Sequence, residues 1–124
     1  MSKIFSLSEA GSIAIHSMVL IASSESKLNV VKISERTGSS KHHVAKVLQR
    51  LVKDDFLTSN RGPHGGFELK RPPEEINLLE VYESIEGKVE ITKCAMDNLI
   101  CPFDLCILGT VVSDMTQNFK DYMT

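Results

Sequence analysis

From Ser8 to about Ser24, apolar positions recur at three- and four-residue spacing: Ile13, Leu20 and Ile21, with the small Ser17 between them. That spacing stacks side chains on one face of an α-helix. Ser8 is placed to cap it, and Glu9 puts a negative charge in its first turn. SESKLN is a polar break. VVKISERT then predicts a short helix stopped at Gly38, a residue suited to a left-handed C-terminal turn. SSKHHVAKVLQRLVKDD predicts a third helix, capped by Ser39 or Ser40, with Val44, Val47, Leu48 and Leu51 facing inward. Lys41, His42, Lys46, Gln49 and Lys53 lie largely away from that stripe.

The pattern then shortens. FLTSN and FELKR are β-type runs on either side of RGPHGG, a sequence that predicts a hairpin with a long tip. RPPEE is a turn. INLLEVYESIEG predicts a fourth helix, with Leu78, Val81, Tyr82 and Ile85 inward and Gly87 at its end, and VEIT reads as a short strand. From about Asp104 onward a last helix carries Leu105, Leu108, Val112, Met115, Phe119 and Tyr122 in alternating three- and four-residue steps. Such a stripe is a coiled-coil seam, and it must bury against something.

Two helices joined by a tight turn and followed by a hairpin predict a winged helix-turn-helix: a mainly α fold with a small β-hairpin wing and a long C-terminal helix. Residues 1–75 would form the winged DNA-binding domain, and 76–124 the cysteine loop and dimerisation helix. A helix fits the major groove of double-stranded DNA with its first turns presenting donors and acceptors to base edges. Ser40, Lys41, His42, His43 and Lys46 stand at that leading end, with Arg50 further along. At the wing tip, Arg61 and His64 are the polar readers, and Gly62, Gly65 and Gly66 let the backbone approach DNA closely. Taken singly, each feature has a plainer reading: a solvated charged face, a C-cap, a turn. Their order and spacing together favour DNA binding. Adjacent helical residues point about 100° apart, so His42 and His43 are not a chelating pair.

Charge sharpens the picture. The chain of 124 residues has a net charge of −2, so any affinity for DNA comes from a local patch. Basic residues crowd the stretch from Lys41 to Arg71, whereas Glu74 to Glu90 is strongly acidic. No apolar run reaches membrane-spanning length, and the N-terminus lacks the zones of a secretory signal, so the expected compartment is the cytoplasm. No Ser/His/Asp set, phosphate loop or pair of carboxylates in an apolar setting is present, which argues against an enzyme.

All three cysteines, Cys94, Cys101 and Cys106, fall in KCAMDNLICPFDLC. An odd number cannot close into intramolecular pairs, and thiols in the cytoplasm stay reduced. Three soft ligands are most of a metal or iron–sulfur site. The gaps of six and four residues are not the Cys-x-x-Cys spacing of zinc ribbons or thiol oxidoreductases. A loose loop suits a cluster, which is larger than one ion. The plainer reading is that Cys101 and Cys106 pack as small apolar side chains.

The chain resembles the family of winged-helix regulators that includes the iron–sulfur cluster regulator IscR, the nitric-oxide-sensing repressor NsrR and the cysteine-metabolism repressor CymR. The resemblance runs from Ser8 to the last helix. It is carried by ISERTGSSKHHVAKVLQRL as reading motif, RGPHGGFEL as wing, INLLEVYESIEG as the following helix and KCAMDNLICPFDLC as cluster loop. It implies a homodimer whose C-terminal helices cross along Leu105, Leu108, Val112, Met115 and Phe119, and a roughly palindromic operator. It also implies an iron–sulfur cluster, of two or four irons, held by Cys94, Cys101 and Cys106. Two departures stand out. Cluster-binding members usually have five residues in each gap. Where some place a histidine as fourth ligand, this chain has Gly109, and where others use an acidic residue of the first helix it has Ser12. Glu9, His16, Asp104 or an exogenous ligand remain open for that position. The expected function is a redox-, nitric-oxide- or cluster-sensing regulator, most simply a repressor. The rivals are a thiol-switching or ligand-sensing repressor without a cluster and a zinc-binding interaction adaptor.

Overall fold

The computed structural model describes residues 6–91 and 107–124. The chain divides into two compact units, Met1–Gly87 and Lys88–Thr124.

In the first unit, α1 (Glu9–Ser23) begins as its sequence predicts, with the Gly11 N–H donating to the Ser8 hydroxyl at 3.0 Å. Its buried face is broader than the expected stripe: Ala14 and Met18 join Ile13, Ser17 and Ile21, while Leu20 is only half-buried. α2 (Val30–Thr37) is capped by Asn29, whose side chain accepts the Lys32 N–H at 2.9 Å. It ends at Gly38, with φ at 74°, a left-handed turn that carries the chain into the next helix. α3 (Lys41–Lys53) starts at Ser40 and buries Val44, Val47, Leu48 and Leu51, the four residues its periodicity selects.

β1 (Leu57–Asn60) and β2 (Gly66–Leu69) pair antiparallel, from Leu57 opposite Leu69 to Asn60 opposite Gly66. Beyond the hairpin, the Phe67 N–H donates to the Leu28 carbonyl at 2.7 Å, tying β2 to the segment between α1 and α2. The tip closes through the Gly65 N–H and the Gly62 carbonyl at 2.9 Å. A Cβ on Gly65 would lie 2.4 Å from the Asn60 carbonyl oxygen, so only glycine fits there. After a 3-10 turn at Pro73–Glu75, α4 (Leu78–Glu86) opens with a reciprocal cap: Asn77 accepts the Glu80 N–H, and Glu80 accepts the Asn77 N–H.

One core holds the unit together. Ile13, Ile33, Val44, Leu48, Leu51, Leu57 and Val81, drawn from five of these elements, are at most 3% exposed. Each contributes about 1.5–3 kcal/mol by leaving water. Val81 is among them, α4 packs on α1 and α3, and this compact unit accordingly runs to Gly87.

In the second unit, Lys88–Ile91 form no strand, so the strand expected from VEIT is absent over its described residues. The last helix, α5 (Val111–Met123), starts later than the expected Asp104. Residues 107–110 are turns, and Gly109 at φ 59° is the reason, since a left-handed residue interrupts helical propagation. Leu108 is therefore in a turn, while Asp104 and Leu105 lie outside the described residues. Along α5, Val112 and Phe119 are half-buried, and Met115 and Tyr122 are exposed.

Candidate nucleic-acid interface

The buried stripe of α3 fixes what its other residues can do. With about 100° between successive positions, His42, Lys46, Gln49 and Lys53 point opposite the stripe, and all four are exposed. His43, Arg50 and Asp54 fall on the flank of the stripe. Both His43 and Asp54 are engaged by neighbouring helices.

At the leading end, the Ser40 hydroxyl accepts the His43 N–H at 3.1 Å, so its first role is the helix cap. Lys41 and His42 follow it into solvent. His43, read from the sequence as a base contact, is half-buried, with Nδ1 3.3 Å from Glu9 Oε1 in the first turn of α1. Arg50 donates from Nε to Asp54 Oδ2 at 3.2 Å. The same carboxylate oxygen accepts a hydrogen bond from the Ser84 hydroxyl on α4. That bond, and then the charges of Arg50 and Lys53, hold the Asp54 carboxyl below the ordinary aspartate value of 3.8 against the opposing effect of burial. At the wing, Arg61 and His64 are both exposed around the turn that Gly62 and Gly65 close.

The structure thus brings His42 and Lys46 onto one solvent face, leaves Lys41 exposed at the helix start, and gives His43 and Arg50 partners within the protein. Gln49 and Lys53 belong at the centre of that face, although the sequence-based choice of DNA contacts omitted them. Angular position relative to the core stripe was the signal that could have found them. Arg36, in the last turn of α2 beside the Gly38 turn, is exposed as well.

Of the candidate metal ligands, Cys94, Cys101, Cys106 and Asp104 lie outside the described residues. Glu9 is the partner of His43. His16 is exposed, and its Nδ1 lies 2.7 Å from the Ser12 carbonyl oxygen. A carbonyl only accepts, so Nδ1 carries the proton and the lone pair of the neutral ring is on Nε2. Among the described residues no group of three or more His, Cys, Asp or Glu side chains is arranged to hold a metal ion.

A helix-turn-helix with an exposed basic reading helix and a glycine-hinged wing is the architecture of a winged-helix DNA-binding protein. The chain belongs to the Rrf2 family, whose model, described as an iron-dependent transcriptional regulator, matches residues 7–124. It is 29% identical over 119 residues to the HTH-type transcriptional regulator IscR of Pectobacterium atrosepticum, covering 94% of this chain and 73% of that one. A helix-turn-helix relative in Azotobacter vinelandii is 26% identical over 97 residues, 78% of this chain, and the chain spans 59% of its length. Among solved structures, CymR of B. subtilis, described as its global cysteine regulator, superposes with a TM-score of 0.76 at 16% identity, covering 96% of this chain and 89% of that one. IscR of T. potens gives 0.73 at 21%, covering 96% and 80%. These likenesses establish the fold, and with the family they make the chain a transcriptional regulator and not an enzyme.

Proposed function

We propose that the protein is a cytoplasmic, homodimeric repressor that binds a roughly palindromic DNA operator and senses redox, nitric oxide or iron–sulfur status through a cluster held by Cys94, Cys101 and Cys106. The observation that carries the DNA-binding part is the α3 surface. His42, Lys46, Gln49 and Lys53 form an exposed basic and polar face opposite a fully buried stripe, and a wing bearing Arg61 and His64 follows it. Lys41 and the capped N-terminus of α3 complete the leading end. The described residues contain no helix long and apolar enough to cross a membrane.

For the cluster, support comes from the donor set. Three thiolates within one short segment suit iron and sulfide. Of the remaining candidates, Glu9, His16 and Asp104, His16 is the best prepared. Its Nδ1–H is committed to the Ser12 carbonyl, the arrangement that orients a ligating imidazole and leaves Nε2 for the metal. A bound cluster supplies an iron centre that reacts with oxidants and nitric oxide. The cysteines lie in the chain between α4, which packs on the reading helix, and α5, whose exposed Met115 and half-buried Val112 and Phe119 would form the dimer seam with Leu105 and Leu108. Ligation of the thiolates would shift DNA affinity by the difference in cluster affinity between the DNA-competent and incompetent states.

The test is anaerobic purification, an absorption spectrum with iron and sulfide analysis per chain, and DNA binding by each form. The expected result is coloured protein with matched iron and sulfide, bleached by air or nitric oxide, with DNA affinity that changes on bleaching. Cys101→Ala should abolish iron loading and leave the fold intact. Colourless protein that still binds DNA after attempted reconstitution would replace the cluster with a thiol switch. Zinc without DNA binding would make the protein an adaptor.

A further inference from the structure

The carboxylate at the end of the reading helix is placed where simple electrostatics would not put it. Asp54 is the C-cap of α3, where the helix presents its carbonyl ends and an anion is disfavoured. It also adds negative charge beside a surface meant for phosphates. An exposed i,i+4 ion pair is a weak reason to keep it, since such pairs contribute little to stability. Asp54 is nonetheless anchored from outside its own helix, because Ser84 of α4 donates to the oxygen that also receives Arg50 Nε. Arg50 makes this contact through Nε at 3.2 Å, and its side chain is still 55% exposed. On the helical wheel it sits between the Asp54 flank and the outward face of Lys46 and Lys53.

We infer that Asp54 is a positioning residue for DNA docking: held by Ser84, it grips the Arg50 guanidinium by Nε and leaves the two terminal amino groups aimed outward at a DNA phosphate. A guanidinium is a rigid planar fork, so fixing one edge orients the other, and a phosphate is met by a prepared pair of donors. The inference rests on the reading that α3 docks on DNA. It adds that the fork is referenced to α4 as well as to α3, because Ser84 supplies the second hold on the carboxylate.

The sign of one substitution separates positioning from bulk charge. A duplex is first recovered by selection from random-sequence DNA with the parent protein, and its affinity is then measured across a salt series. Asp54→Asn keeps an oxygen for Ser84 but removes a negative charge near the DNA. If Asp54 positions Arg50, this variant binds about three- to tenfold more weakly, with the slope of log affinity against log salt reduced by about one phosphate contact. In an Arg50→Ala background the same substitution has no further effect. If Asp54 acts only as a nearby charge, Asp54→Asn binds more tightly, and that result overturns the inference, as does parental affinity. Melting curves confirm that each variant is folded at the assay temperature. Should Asp54→Asn fail that check, Ser84→Ala takes its place, with weaker binding expected that vanishes in the Arg50→Ala background. A parent that binds DNA while Arg50→Ala keeps the parental slope sinks the positioning role alone. A parent that binds no duplex sinks the DNA-binding reading and this inference with it.

Discussion

Gly65→Ala tests the wing, because the consequence of one added methyl group can be worked out from its surroundings. The new Cβ would stand 2.4 Å from the Asn60 carbonyl oxygen, 2.8 Å from the Arg61 carbonyl carbon and 3.0 Å from the Arg61 oxygen. All three are backbone atoms, so no side chain can swing aside. Comfortable non-bonded separations are about 3.5 Å, and relief therefore needs a backbone displacement on the order of 1 Å. Overpacking of that kind costs roughly 1–3 kcal/mol. A two-stranded hairpin is marginal by itself, so the strain is relieved by opening the outer pairs, Asn60–Gly66 and Ser59–Phe67, before the helical core gives way. Amide hydrogen exchange read residue by residue is the assay. Phe67, which donates to Leu28, should exchange faster in the variant, while the amides of α3 keep their parental protection. DNA affinity should fall because Arg61 and His64 are displaced with the tip. Parental exchange at Phe67 together with parental DNA affinity would refute both the close approach at Gly65 and the role given to the wing.

Three further outcomes follow from the core and the helix contacts. Ser17 is fully buried and its hydroxyl has no hydrogen-bond partner among the described residues, so Ser17→Ala should stabilise the protein by about 1 kcal/mol in urea unfolding; a loss of stability would mean that the hydroxyl is satisfied. Leu48 is 0% exposed in the centre of the cluster, and Leu48→Ala should cost about 3–5 kcal/mol by the same assay, with a cost below about 1 kcal/mol contradicting its central place. Asp54 has a folded-state pKa below its ordinary 3.8, so its contribution to stability is present above that value and is lost as pH falls through the lowered one. Ser84→Ala removes the largest cause of the lowering, so stability measured from pH 6 down to pH 2 should fall less steeply on its acid side than in the parent. An unchanged acid limb would show that the Ser84 contact is not made.

The parts of this molecule legible in the sequence are those where local chemistry and burial agree. Ser8 and Ser40 cap their helices because a short side-chain oxygen can reach an unpaired N–H whatever the rest of the fold does. The α3 stripe is equally plain, since one face meets one core. The start of α5 was misplaced because apolar periodicity continues back through Leu108 and Leu105, and it carries no sign that Gly109 would adopt a left-handed turn. Over its described residues, 89–91, the VEIT run forms no strand, because alternation of side chains does not by itself make a ladder.

The reading surface shows a different limit. The sequence pattern sets Lys41, His42, Lys46, Gln49 and Lys53 away from the core stripe, but it does not show what His43 and Arg50 touch. Tertiary contacts supply that: His43 turns to Glu9, and Arg50 is gripped by Asp54 and, through it, by Ser84. Asp54 is the i,i+4 neighbour of Arg50, but Glu9 and Ser84 come from α1 and α4, far from α3 in the sequence. The residues left wholly to solvent, His42, Lys46, Gln49 and Lys53, are identified by subtraction once the core and the flank are assigned. The flank pairs also give α1 and α4 direct contact with the reading helix. A shift of either helix would therefore alter the presentation of His43 or Arg50 without moving the outward residues. By this route a change elsewhere in the chain would tune DNA affinity while leaving the recognised sequence the same. It makes a distinct demand on experiment: variants at Glu9 or Ser84 should change affinity for the selected duplex, but return the same consensus from a fresh selection.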